Sequence, residues 1–136
     1  MHTKLVAKTL IFGEKNRILA IRRAANDKHR PGGWDLPGGG LFMAEDPTVG
    51  ALREIEEEAG VEVNLIRLLH VHSQMKEPGT FMISLIFGAV ADSEDVTLSP
   101  EHSEFRWCTP DEFEELDIPD KYKVAAATFL RSKTAL

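Results

Sequence analysis

Apolar and polar positions along the chain fall into segments of two different periods. Residues 4–13, KLVAKTLIFG, and 17–23, RILAIRR, are aliphatic and β-branched runs separated by the polar EKN, which predicts a β-hairpin. AANDKHRPGG, 24–33, is a polar stretch rich in turn residues, and WDLPGGG, 34–40, predicts a short strand ended by a proline and three glycines. Residues 46–60, DPTVGALREIEEEAG, predict a helix with Asp46 as N-cap, Pro47 at its first position and Gly60 as its stop. Two strand-like runs follow, 61–75 and 79–91, joined by the turn KEPG. A short strand is expected at 103–109 and a short helix beginning at Thr109 or Pro110. The segment 120–133 carries Tyr122, Val124, Ala125, Phe129 and Leu130 roughly at helical spacing. Strands interleaved with helices, without repeats or linkers, predict a single mixed α/β domain of layered type over residues 1–136.

Composition narrows the function. The chain has 136 residues, enough for one substantial core, and 43% apolar with 28% charged residues is the balance of a globular protein. A formal net charge of −6 argues against a general nucleic-acid or anionic-membrane surface. It leaves room for a small phosphorylated substrate, because metal ions bridge two anions. Cys108 is the only cysteine, so neither an internal disulfide nor a cysteine-rich zinc site is expected. The apolar run near residue 10 is too short and interrupted for a signal peptide or membrane span, and the expectation is a cytoplasmic protein.

REIEEEAG, residues 53–60, concentrates four glutamates in eight positions. At 100° per residue, Glu54, Glu57 and Glu58 share one arc of the helix with Arg53 at its edge, and Glu56 points away. Val49, Leu52, Ile55 and Ala59 form the opposite stripe, expected to face the core. Like charges at these spacings cost a few tenths of a kcal/mol per pair, which a wet surface tolerates. A solvated acidic face and a hard-cation site therefore both fit the helix alone. Oxygen-only clusters suit Mg²⁺ or Mn²⁺, which use a few carboxylates together with substrate phosphates.

The flanking residues separate the two. Gly39, Glu45, Arg53, Glu54, Ile55, Glu57, Glu58, Gly60 and Val61 fill every defined position of a pattern that resembles the Nudix box, G-x5-E-x7-R-E-U-x-E-E-x-G-U with U apolar. Seven fixed residue types at fixed spacing arise by chance with a probability on the order of 10⁻⁹ per start site. The box covers residues 39–61, and the strand pattern around it fits the family's α/β/α sandwich, a mixed sheet between helices. The resemblance implies hydrolysis of the diphosphate linkage of nucleoside diphosphates joined to another group X, with Mg²⁺, or Mn²⁺ in its place. It implies metal ligands at Glu54, Glu57 and Glu58 and at the carbonyl of Gly38. Arg53 and Glu45 would brace the loop against the helix. Glu54 is the first candidate for general base.

Further along, PEHSEFRWCTPDEF resembles a later loop and strand of several Nudix enzymes, in which a glutamate adds a metal ligand or base. Glu101 occupies that place, with Glu104 second; His102 reads as a structural loop histidine. IRRAANDKH resembles the region of bacterial 8-oxo-dGTP diphosphatases where an arginine contacts the nucleotide, which points to Arg23 with Arg22 beside it. The asparagine those enzymes use to read the base has no counterpart in IPDKYKVA, where Lys121 or Tyr122 would stand instead. Trp34, Trp107, Phe81 and Phe87 are core candidates rather than base platforms. The expected activity is a nucleoside triphosphate pyrophosphohydrolase. ADP-ribose, nucleotide sugars and dinucleoside polyphosphates are alternative substrates, and a non-catalytic nucleotide sensor is the rival class. Relatives that dimerise leave a homodimer open.

Overall fold

In the computed structural model, which describes residues 1–135, the chain forms β1 (His2–Phe12), β2 (Ile18–Arg23), β3 (Trp34–Asp35), β4 (Gly38–Gly40), α1 (Pro47–Glu58), β5 (Val63–Glu77), β6 (Thr80–Ala91), β7 (His102–Cys108), α2 (Pro110–Glu115) and α3 (Asp120–Ala135). The strands join in one mixed sheet of order β3-β2-β1-β6-β5, with β4 also paired to β1 and β7 to β2. Among the described residues the β1–β6 pair is parallel and the other pairs run antiparallel.

Strand alternation sends the side chains of β1 to two layers. Leu10 and Phe12 join Ala20, Trp34, Phe113, Tyr122 and Ala125 under α2 and α3. Ala7 and Ile11 go to the other side, where Ala51 and Ile55 of α1 cover them. The expected α/β/α sandwich results.

Local signals account for the element ends. The Asp46 carboxylate accepts from the backbone N–H groups of Thr48 (2.9 Å) and Val49 (3.2 Å), which starts α1. Thr109 and Glu112 cap α2 reciprocally, so Thr109 is the cap and Pro110 the first helical residue. The turn between β5 and β6 is tighter than KEPG predicts: β5 runs on to Glu77, leaving Pro78 and a left-handed Gly79 (φ 87°).

Core assignments in two helices differ from the sequence reading. Val49 (58% exposed) and Leu52 (39%) face solvent, and the buried side of α1 is Gly50, Ala51, Glu54 and Ile55. A helical wheel gives relative angles, but the roll about the axis is set by the opposing surface. Here Gly50 lies so close to Leu41 and Glu45 that a Cβ would meet them at 2.4 and 2.9 Å, and this roll turns Glu54 inward. In α3, Val124 is exposed and Ala126 takes the expected core place.

Candidate active site

A cavity of about 760 Å³ opens between the sheet and the first turn of α3, bordered by Gly38–Gly40, Glu58 and Glu101. β4 brings the acidic helix to it. Gly38 has φ 148°, and a Cβ there would stand 2.0 Å from the Ala7 carbonyl oxygen, so only glycine lets β4 lie against β1. Its N–H donates to Glu58 Oε1 at 2.8 Å. Gly39 faces Glu54 so closely that a Cβ would come within 3.1 Å of the carboxylate. Burial pushes the Glu58 carboxyl up to about 7; Lys8 and the Gly38 N–H oppose the shift, while Glu54 and Asp35 add to it.

Arg53 organises the other carboxylates. Its Nε and Nη2 donate to Glu45 at 2.8 and 3.0 Å, a bidentate grip that ties the loop before α1 to the helix. Nη1 reaches Glu54 at 3.0 Å and Glu57 at 3.3 Å, and Nη2 also donates to the Gly40 carbonyl at 3.3 Å. The guanidinium lies 3.9 Å from the centre of the Phe42 ring. Hydrogen bonding to Glu45 above all raises its pKa, so it stays charged. Glu57 is held at the exposed rim of this network.

A second network was missed in the sequence. Lys8 is buried in β1; its ammonium contacts Asp35 Oδ2 (3.2 Å) and donates to the carbonyls of Gly38 (3.1 Å) and Leu36 (3.3 Å). Asp35 also accepts two hydrogen bonds from Arg23, which in turn holds Asp27 at 3.0 Å. The one available signal was a lysine inside the apolar run LVAKTLIF, which needs a buried counter-charge. Arg23 lines the cavity. Arg22 does not: it points across to Glu104 (2.7 Å) and the Gly32 carbonyl, because neighbouring strand residues face opposite sides. Trp34 and Phe87 are core residues, and Trp107 packs against the α1-side core with its indole N–H on the Glu94 carbonyl.

The comparisons with known proteins settle the family. The family model for the NUDIX domain matches residues 2–129. The chain is a Nudix hydrolase. It is 36% identical over 115 residues to a MutT-like protein of Streptomyces ambofaciens, covering 85% of this chain and 69% of that one. It is 29% identical over 128 residues to the nucleoside triphosphatase NudI of Salmonella arizonae, covering 87% and 88%. A MutT protein of Methanosarcina mazei Go1 superposes with a TM-score of 0.82 at 26% identity, over 96% and 95% of the two chains.

Nudix hydrolases generally use divalent metal ions, and the donors of this site fit one. They are all oxygens, as a hard cation requires. Burial displaces the half-buried Glu58 carboxyl toward neutrality, a shift that a neighbouring cation would oppose, and the missing Cβ of Gly39 leaves Glu54 room beside the loop. Gly38, Glu58 and Glu101 border the cavity, Glu54 lies behind Gly39, and Glu57 is drawn aside by Arg53. Among the described residues no three His, Cys, Asp or Glu side chains converge as a metal cluster. No helix among them is long and apolar enough to cross a membrane.

Proposed function

We propose that this Nudix hydrolase is a nucleoside triphosphate pyrophosphohydrolase working with Mg²⁺, or with Mn²⁺ in its place. One observation carries the reading. A single cavity has the glycine loop and Glu58 of the box at one border and the cations Lys8, Arg23 and Lys121 along its wall. An anion as dense as a polyphosphate fits between such borders only with bound cations, and the MutT-like and NudI relatives support a nucleotide as its carrier.

Glu54, Glu57, Glu58 and the Gly38 carbonyl would hold the metal, with Glu101 joining from across the cavity. When bound, a divalent cation neutralises the diphosphate and lowers the pKa of a water for attack on phosphorus. Glu54, buried and hydrogen-bonded by Arg53, would accept the proton of the attacking water. Arg53 and Glu45 fix the loop so that Gly38 and Glu58 keep their places. Arg23, anchored by Asp27 and Asp35, is the residue for a nucleotide phosphate; Arg22 is not, since its guanidinium is turned to Glu104.

The test is a hydrolysis panel with Mg²⁺ and with Mn²⁺, covering nucleoside triphosphates, oxidised purines among them, ADP-ribose, nucleotide sugars and dinucleoside polyphosphates. Metal-dependent turnover of triphosphates, lost in Glu57→Gln, is the expected result. Preference for another member of the panel replaces the substrate assignment, and unchanged turnover in Glu57→Gln places the metal elsewhere. Tight nucleotide binding without turnover returns the sensor reading.

A further inference from the structure

Lys8 is a buried charge to which the hydrolysis itself assigns no task. It is 8% exposed, and its ammonium meets three oxygens: the Gly38 carbonyl at 3.1 Å, Asp35 Oδ2 at 3.2 Å and the Leu36 carbonyl at 3.3 Å. An ammonium has three N–H donors, so none is left over for a substrate phosphate. Stability does not explain the lysine either, because well-packed apolar side chains often hold a core as well as a buried ion pair does.

The register of β4 on β1 shows what the ammonium holds. Thr9 N–H donates to the Pro37 carbonyl and Leu41 N–H to the Leu5 carbonyl, both at 3.0 Å. Antiparallel pairs alternate, so Lys8 and Gly38 form a pair without ladder hydrogen bonds, and the N–H and C=O of Gly38 point away from β1. Glu58 Oε1 takes that N–H at 2.8 Å, and Lys8 takes the C=O. A carbonyl oxygen has two lone pairs; the ammonium engages one and leaves the other for the cavity that Gly38 borders. At φ 148° a glycine has wide backbone freedom, so the direction of this carbonyl depends on its partners. Asp35 completes the arrangement, since its Oδ1 accepts the Leu36 N–H at 2.8 Å while its Oδ2 holds the ammonium.

We propose that Lys8 is a positioning residue for the metal: it fixes the direction of the Gly38 carbonyl before a divalent ion arrives. This rests on the reading of that carbonyl as a metal ligand. The decisive variant is Lys8→Met combined with Asp35→Asn, which removes the ammonium and leaves the net charge beside the site unchanged. Lys8→Met alone also removes a positive charge that repels the ion, so the double variant separates orientation from charge. Mn²⁺ affinity is measured by electron paramagnetic resonance, and the melting temperature is measured in EDTA. The double variant should bind Mn²⁺ about 10- to 100-fold more weakly, the usual weight of a group that orients a metal ligand, with a melting temperature close to that of wild type. Unchanged or tighter Mn²⁺ binding overturns the proposal. Failure of the double variant to fold also overturns it, because Lys8 is then a structural residue. In wild type carrying ¹³C at its glycine carbonyls, saturating Mg²⁺ should shift the Gly38 resonance. A Gly38 resonance that does not move shows that this carbonyl is no ligand, which removes the reading beneath the proposal whatever the variant does.

Discussion

Arg53 holds Glu45 through two parallel hydrogen bonds, Nε to Oε2 at 2.8 Å and Nη2 to Oε1 at 3.0 Å, across eight residues of chain. The same guanidinium reaches Glu54 and Glu57, so a change at Arg53 is felt at both glutamates. Arg53→Lys keeps the charge and loses the planar fork. The expected result is a 10- to 100-fold fall in activity or metal affinity with the fold retained, in keeping with the usual weight of residues that orient metal ligands. Mn²⁺ titration and circular dichroism on the same sample check it; full activity in Arg53→Lys would reduce the fork to an ordinary ion pair.

Gly38 and Gly39 are neighbours with different constraints. A Cβ on Gly38 would meet backbone, the Ala7 oxygen at 2.0 Å and Lys8 Cα at 2.7 Å, so Gly38→Ala should detach β4 and lower the melting temperature sharply. The three atoms nearest a Cβ on Gly39 would all belong to the Glu54 carboxylate, at 3.1 Å. Gly39→Ala should fold nearly as well as wild type and bind Mn²⁺ about tenfold more weakly or worse. A similar loss of stability in both variants would contradict this division.

Asp35 is the buried anion on which Lys8 and Arg23 both depend. Asp35→Asn leaves those cations under-compensated and should cost about 3–5 kcal/mol in urea unfolding at pH 7. Burial pushes the Asp35 carboxyl up, but Lys8, Arg23 and the Leu36 N–H outweigh it, and its pKa falls below the ordinary value. A depressed carboxylate stabilises the fold above its unfolded pKa, about 3.9, and that stabilisation is lost as pH falls through the folded pKa. The gap between wild type and Asp35→Asn should hold from pH 7 to about 4 and shrink only below it. A gap that does not change with pH would show that the carboxylate charge is immaterial.

Cys108 is fully buried at the end of β7, and burial pushes its thiol up to about 11. A neutral, inaccessible thiol is inert. The native protein should resist a thiol-specific disulfide reagent at pH 8 and react completely in urea. Rapid labelling of the native protein would mean that β7 opens readily.

Much of this was readable along the chain because its causes are local. Alternation and turn residues gave the strands of the sandwich, and Asp46, Thr109 and the glycines marked element ends within a residue or two. The box could be read because its residues stand at fixed spacing along one loop and helix. Arg23, Glu101, Glu58 and Gly38 could be named because each lies near such a landmark, and all four border the cavity. Lys8 and Asp35 were overlooked because a buried pair from two strands, 27 positions apart, has no local signature.

The sequence by itself determined the family, the layered α/β architecture and the residues of the box, since all three depend on spacing along one chain. Tertiary structure decided the roll of α1, which hides Glu54 and exposes Val49. It decided that Arg23 faces the cavity while Arg22 faces Glu104, and it brought Lys8 to the carbonyls of Leu36 and Gly38. The physical reason is the same in each case. The facing of a side chain, and the pairing of a buried charge, depend on surfaces contributed by segments far apart in sequence.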